Sequence, residues 1–125
     1  MVERVLILED DESLREVFAD CLDYTFKVKT VLCDSFQSMV ANSAEVLQCH
    51  VAFLDINLGP NRPTGIEAYH WLLKNGFKGQ IVFLTGHGKF DPLIREALKL
   101  NRAAMLTKPA RMEDIEKFIK AGKTS

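Results

Sequence analysis

Residues 51–57, Val-Ala-Phe-Leu-Asp-Ile-Asn, hold a short apolar run that stops abruptly on Asp55. Four to six consecutive apolar residues without a helical period read as a strand buried on both faces. The Asp55 carboxylate therefore stands where a buried strand ends. Two other segments have the same form: Val5 to Leu8 runs into Glu9, Asp10 and Asp11, and Ile81 to Leu84 runs into Thr85. In an open α/β sheet the carboxyl ends of parallel strands face one crevice, where ligands and chemistry collect.

Outward from that strand, strand-like and helix-like segments alternate. Between Asp11 and Asp23, Leu14, Val17, Phe18 and Cys21 have the spacing of an amphipathic helix, with Asp11 or Ser13 as its cap. Phe26 and Val28 alternate with Lys27 and Lys29 ahead of Val31 and Leu32, which predicts an edge strand with one wetter face. Asp34 or Ser35 then opens a shorter helix through Phe36, Met39 and Val40. Beyond Asn57, a loop from Leu58 to Thr64 carries Gly59, Pro60 and Pro63. From Gly65 a helix places Ile66, Ala68, Tyr69, Leu72 and Leu73 on one arc and Glu67, His70, Trp71 and Lys74 on the other, and Gly76 ends it. Ile81 to Leu84 is the fourth strand, and Asp91-Pro92 is the start of a helix running to about Leu100. Ala103 to Leu106 predicts a fifth strand, and Met112, Ile115, Phe118 and Ile119 mark a last helix. Five strands each followed by a helix require right-handed crossovers if the strands are parallel, with helices on both faces of the sheet. The fold class is α/β, a doubly wound three-layer domain.

Composition narrows the function. A chain of 125 residues buries one sizeable core and is too short for two ordinary domains. With 16 basic against 17 acidic residues and a net charge of −1, it has no general attraction to nucleic acid or to an anionic membrane. Cys21, Cys33 and Cys49 are widely spaced without a CxxC pair, and read as small core residues in a reducing compartment. The N-terminus meets acidic residues after four apolar ones, so it reads as neither a signal peptide nor a membrane span. A cytoplasmic location is expected.

Glu9 and Asp10 after the first strand, Asp55 after the third, Thr85-Gly86 after the fourth and Lys108-Pro109 after the fifth together resemble the receiver domain of two-component response regulators. The resemblance runs along the whole chain, 1–125. It implies a flavodoxin-like parallel sheet of order 2-1-3-4-5. It also implies Mg²⁺-dependent phosphorylation of Asp55 by a histidine kinase or histidine phosphotransfer protein, and a switched surface read by a downstream partner. No output domain follows within this sequence, so a stand-alone receiver or the receiver of a longer regulator is expected. Turnover of a separate substrate is not expected; the domain promotes at most its own phosphorylation and dephosphorylation.

The residues themselves support that chemistry. Carboxylates gathered in one crevice repel each other, each pair at ~4 Å by about 4 kcal/mol with an effective dielectric near 20. Oxygen-only ligands favour a hard cation. By resemblance Glu9 and Asp10 hold Mg²⁺, or Mn²⁺ in its place, while Asp55 and the backbone carbonyl of Asn57 complete the metal site. Asp55 is the nucleophile, and Lys108 and the Thr85 hydroxyl serve the phosphoryl oxygens. Asp11 and Glu12 read as a solvated helix start. Singly, Asp55 is also readable as a turn former, Thr85 as a strand-end hydroxyl and Lys108 as a surface lysine. Their joint placement favours the site.

Several positions depart from the family pattern. Met105 stands where receivers commonly carry an aromatic switch residue, and Ala103 and Ala104 stand where one subfamily carries acidic dimer contacts. The loop from Leu58 to Thr64 is about two residues longer than usual, with Arg62 between its prolines. His87, two residues past Thr85, is either a tuner of dephosphorylation or an exposed loop histidine. Trp71 is a candidate contact residue. Two other functions compete with the phosphoacceptor. An aspartyl-phosphate hydrolase typically needs a second aspartate where this chain has Asn57, and a phosphorylation-independent pseudo-receiver finds room in Met105.

Overall fold

The computed structural model describes residues 3–59, 63–86 and 92–124. Along the chain run β1 (Arg4–Leu8), α1 (Glu12–Phe26), β2 (Lys29–Cys33), α2 (Phe36–Ala41), α3 (Ser43–Val46), β3 (Val51–Asp55), α4 (Gly65–Lys74), β4 (Gln80–Thr85), α5 (Pro92–Leu98), β5 (Ala103–Thr107) and α6 (Met112–Thr124). The five strands form one sheet in the order β2-β1-β3-β4-β5, every pair parallel. The doubly wound fold expected from the sequence is the fold observed. β3 lies at the centre and is buried at all five positions, as its unbroken apolar run requires.

Side chains alternate across a strand, so each strand feeds two cores. Leu6, Leu8, Ala52, Leu54, Ile81 and Phe83 face one layer, where Met39, Val46, Leu72 and Ile94 from α2, α3, α4 and α5 cover them. Val5, Ile7, Val51, Phe53, Val82 and Leu84 face the other, under Ala19 and Leu22 of α1 and Ile115 and Ile119 of α6. The register aligns Ile7 with Phe53 and Phe53 with Val82, so these rows run straight across the sheet. Continued past the strand ends, the alternation puts Glu9, Asp55 and Lys108 on the α1/α6 side and Thr85 on the other.

Several expectations need correction. α1 reaches Phe26 and closes on Lys27 in the left-handed region (φ 56°), so β2 begins at Lys29. Its buried residues are Ala19 and Leu22, whereas Leu14 is 51 % and Val17 61 % exposed and Cys21 is also exposed. Of the stripe read from the sequence, Phe18 does pack against the sheet, while Leu14, Val17 and Cys21 face water and Ala19 and Leu22 take the buried positions. Of the two caps read for α2, Ser35 is the one used, its hydroxyl accepting from the Ser38 N–H at 3.1 Å, and α3 follows as a separate turn. Trp71 is half-buried and packs against the α2–α5 core. α5 ends at Leu98. Asp91, His87 and the Pro60 and Arg62 positions of the long loop lie outside the described residues.

Asp11 caps α1, its Oδ1 accepting from the Leu14 N–H at 3.0 Å with the backbone extended at the cap. Asp11→Ala is expected to cost about 1 kcal/mol, the usual cost of losing a helix N-cap, and Asp11→Asn much less. Urea unfolding of the two variants checks this; equal losses would show that charge and not the cap hydrogen bond matters here.

Candidate functional site

Among the described residues, the buried polar or charged ones are Glu9, Asp55 and Thr85, at 5 %, 6 % and 2 % exposure. All three stand at the carboxyl ends of strands. Buried carboxylates need partners. Lys108 supplies one: its Nζ lies 2.6 Å from Glu9 Oε1 and 3.1 Å from Asp55 Oδ2. β1 and β5 are three strand spacings apart, about 14 Å, and the long Glu9 and Lys108 side chains meet across β3 and β4.

Backbone contacts fix each end of this bridge. The Lys108 N–H donates to the Thr85 carbonyl at 2.7 Å, continuing the β4–β5 ladder past Thr85 and Thr107. Thr85 thus joins the cluster through its main chain as well as its position. The Asp11 N–H donates to Glu9 Oε2 at 3.3 Å, and Arg15 Nη1 donates to the Glu9 carbonyl at 2.9 Å. On the Asp55 side, the Asn57 N–H donates to Asp55 Oδ1 at 3.3 Å, and Asn57 Oδ1 accepts from the Gly59 N–H at 3.0 Å. Gly59 adopts φ 112°, which its lack of a side chain permits. Gly65, which opens α4, lies against β3 so closely that a Cβ there would sit 2.3 Å from the Asp55 carbonyl oxygen.

Glu9, Asp10 and Asp55 each offer a carboxylate oxygen, and the three oxygens lie within 4.8 Å of one another. Partial burial pushes the Asp10 carboxyl above its ordinary value, and the hydrogen bond and negative charge of Glu9 push it further the same way. Burial alone would lower the Lys108 pKa, but its hydrogen bond with Glu9 and the Asp55 charge outweigh that, and the ammonium is held above its ordinary value. Three carboxylates against one ammonium leave an excess of negative charge in a crevice with oxygen donors only. That donor set fits a hard divalent cation such as Mg²⁺.

The expected site residues Glu9, Asp10, Asp55, Asn57, Thr85 and Lys108 are therefore neighbours at one end of the sheet. Arg15 and Gly65 were missed as site residues. Arg15 looked like an ordinary helix arginine, and the close approach at Gly65 is a distance that no spacing encodes. The cysteines divide: Cys33 and Cys49 are buried, and burial raises both thiols, Cys49 to about 12, whereas Cys21 is exposed. Beside the site, Leu14, Val17 and Cys21 of α1 face Ala110, Met112 and Ile115 across an apolar groove of about 480 Å³ that opens onto Glu9 and Lys108. Among the described residues no helix is long and apolar enough to cross a membrane.

Comparison with known proteins agrees with this architecture. Among solved structures, a CheY-like response regulator receiver domain protein from Methanospirillum hungatei superposes with a TM-score of 0.80 at 17 % identity, covering 99 % of this chain and 98 % of that one. The Vibrio cholerae chemotaxis protein CheY4 gives 0.77 at 18 % identity, with 97 % and 98 % coverage. NtrX from Brucella abortus gives 0.80 at 20 % identity over 99 % of this chain and 28 % of the larger protein. At these identities the likeness shows the fold. No curated protein sequence matches. The family model of the response regulator receiver domain matches residues 5–120, from β1 into α6, and on that match the chain belongs to the response regulator receiver domain family.

Proposed function

We propose that Asp55 accepts a phosphoryl group from a phosphohistidine on a cytoplasmic histidine kinase or histidine phosphotransfer protein. The observation that carries this reading is the buried Asp55 carboxylate at the end of β3, inside an acidic cluster and 3.1 Å from the Lys108 ammonium. An Asp55 carboxylate oxygen attacks phosphorus, the O–P bond forms as the donor's N–P bond breaks, and the product is an acyl phosphate. Phosphoryl transfer depends chiefly on positioning and charge neutralisation. Lys108 serves one phosphoryl oxygen with a compact cation, and the Thr85 hydroxyl serves another. Glu9, Asp10, Asp55 and the backbone carbonyl of Asn57 would hold Mg²⁺, or Mn²⁺, which supplies charge neutralisation between the carboxylates and the phosphoryl oxygens. The groove between α1 and α6 offers a helix of the donor an apolar seat next to Glu9 and Lys108, since Leu14, Val17 and Cys21 recur at helix-packing intervals. The phosphorylated surface is then read by a downstream protein or output domain. Asn57, in place of a second aspartate, disfavours turnover of a separate substrate.

The test is intact-protein mass after incubation with a small acyl-phosphate donor, with and without Mg²⁺, on wild type and Asp55→Asn. One phosphate-sized gain, absent in Asp55→Asn and absent without metal, is expected. A folded protein that never gains mass would make this a phosphorylation-independent binding module.

A further inference from the structure

At the pole opposite Glu9 and Asp55, where the strands begin, a cavity of about 380 Å³ lies at the amino ends of β4 and β5. Small-molecule sites span roughly 300–1,000 Å³, so this one has room for a compact ligand. Lys78, Gly79 and Gln80 of the segment leading into β4 line it, together with Arg102 and Ala103 of the turn leading into β5. No carboxylate lines it, and among the described residues neither Lys78 nor Arg102 forms an ion pair. We propose that this cavity binds the phosphate group of a small phosphomonoester, held by the Arg102 guanidinium and the Lys78 ammonium.

The backbone at Arg102 points the same way. Its φ of 60° is a left-handed conformation that glycine adopts freely and other residues rarely. A turn that needed only its backbone would be better served by glycine, so the strain marks a use for the side chain. Part of that use is visible: Arg102 Nη2 donates to the Phe77 carbonyl at 3.1 Å, which ties the β5 turn to the segment before Lys78. One N–H of five is spent there, and the rest of the fork remains for a ligand. The facing segment is equally fixed. A Cβ on Gly79 would lie 2.5 Å from the His50 carbonyl oxygen, and the Gln80 N–H donates to that same oxygen at 2.9 Å. The two cations are therefore held on a rigid frame, which lowers the entropy lost on binding. Lys74 at the end of α4 and Lys99 just past α5 stand at the same pole, since helices in a parallel sheet end where strands begin, and they add to its positive potential. Two cations match a dianion. A guanidinium fork pairs with two phosphate oxygens and an ammonium serves a third as a point charge.

The experiment is amide-resolved NMR titration, without divalent metal, of glycerol phosphate, glycerol and succinate into wild type, Arg102→Gly, Lys78→Gln and Lys117→Gln. Arg102→Gly removes the guanidinium and relieves the backbone, so a loss of binding in it does not stem from a strained turn. Glycerol phosphate is expected to shift the Gly79, Gln80 and Ala103 amides of wild type, and glycerol to leave them unmoved. Arg102→Gly and Lys78→Gln are each expected to weaken binding about tenfold, the scale of a lost charge-assisted hydrogen bond. Lys117→Gln, whose lysine sits on the exposed face of α6, is expected to match wild type. The proposal is overturned if no amide moves at about 10 mM ligand, if the shifts fall at Asp10 and Asn57 instead, if both cavity variants bind as wild type does, or if succinate binds more tightly than glycerol phosphate. Each of these outcomes leaves the reading of Asp55 untouched, because the two sites lie at opposite ends of the sheet.

Discussion

Gly65→Ala is expected to lower stability by about 3 kcal/mol, at the upper end of the cost of overfilling a packed site, and to cut the rate of Asp55 phosphorylation at least tenfold in the molecules that remain folded. A Cβ on Gly65 would meet the Asp55 carbonyl oxygen at 2.3 Å and the Asp55 carbonyl carbon and Ile56 Cα at 3.0 Å. All three are backbone atoms, so no side chain can swing aside. The helix gains about 1 kcal/mol from alanine over glycine, which only partly offsets the clash. Relief requires the start of α4 to back away from β3, which breaks the Gly65 N–H bond to the Ile56 carbonyl, 2.9 Å long, and shifts the turn that carries Asp55 and Asn57. Because phosphoryl transfer rests on in-line placement, a shift of this kind lowers the rate without removing any reacting group. Gly86→Ala is the control: a Cβ there meets nothing within 4 Å, although the residue directly follows Thr85. Denaturant unfolding and phosphorylation by an acyl-phosphate donor measure the two effects. Equal stability of the two variants would show that α4 yields at no cost and that the close approach is not a constraint.

The same contrast explains what was legible in the sequence. β3 and the end of β1 were readable because a buried parallel strand must be apolar throughout, so a carboxylate such as Asp55 or Glu9 marks the end of the run. With both ends placed, the crevice followed from the parallel strands, whose carboxyl ends share one edge of the sheet. α1 was misread in part for a physical reason: the stripe Leu14, Val17, Phe18 and Cys21 overlaps another of Ala19, Leu22 and Phe26, only Phe18 of the first packs against the sheet, and periodicity cannot say which positions do. The water-facing stripe turned out to be a wall of the groove beside the site. Trp71 followed the same logic, placed by angle on the outer arc but large enough to reach the core. Contacts that depend on reach, such as Glu9 to Lys108 across two intervening strands, or on a missing atom, as at Gly65, leave no periodic trace.

Phe53→Ala is expected to cost about 3–5 kcal/mol, the range for removing a fully buried phenylalanine. Phe53 is completely buried in the central strand, aligned with Ile7 of β1 and Val82 of β4. Its ring meets Phe18 of α1 edge to face with centroids 5.2 Å apart. Small domains hold about 5–15 kcal/mol in total, so this one truncation removes a large share. Its consequence for the site follows from strand geometry. Val51, Phe53 and Asp55 point to the same side of β3, so Phe53 is the floor beneath the Asp55 carboxylate, and α1, which carries Arg15 and the Asp11 cap, rests on it. Phe53→Leu fills most of the volume and is expected to cost less than half as much. Phosphorylation at a temperature where each variant is still folded separates the two roles. If Phe53→Ala phosphorylates at the wild-type rate per folded molecule, the ring holds up only the fold. If the rate falls and Phe53→Leu restores it, the packing of α1 on β3 also sets the position of Glu9 and Asp55. A loss under 1 kcal/mol would mean that α1 does not rest on Phe53 as the geometry requires.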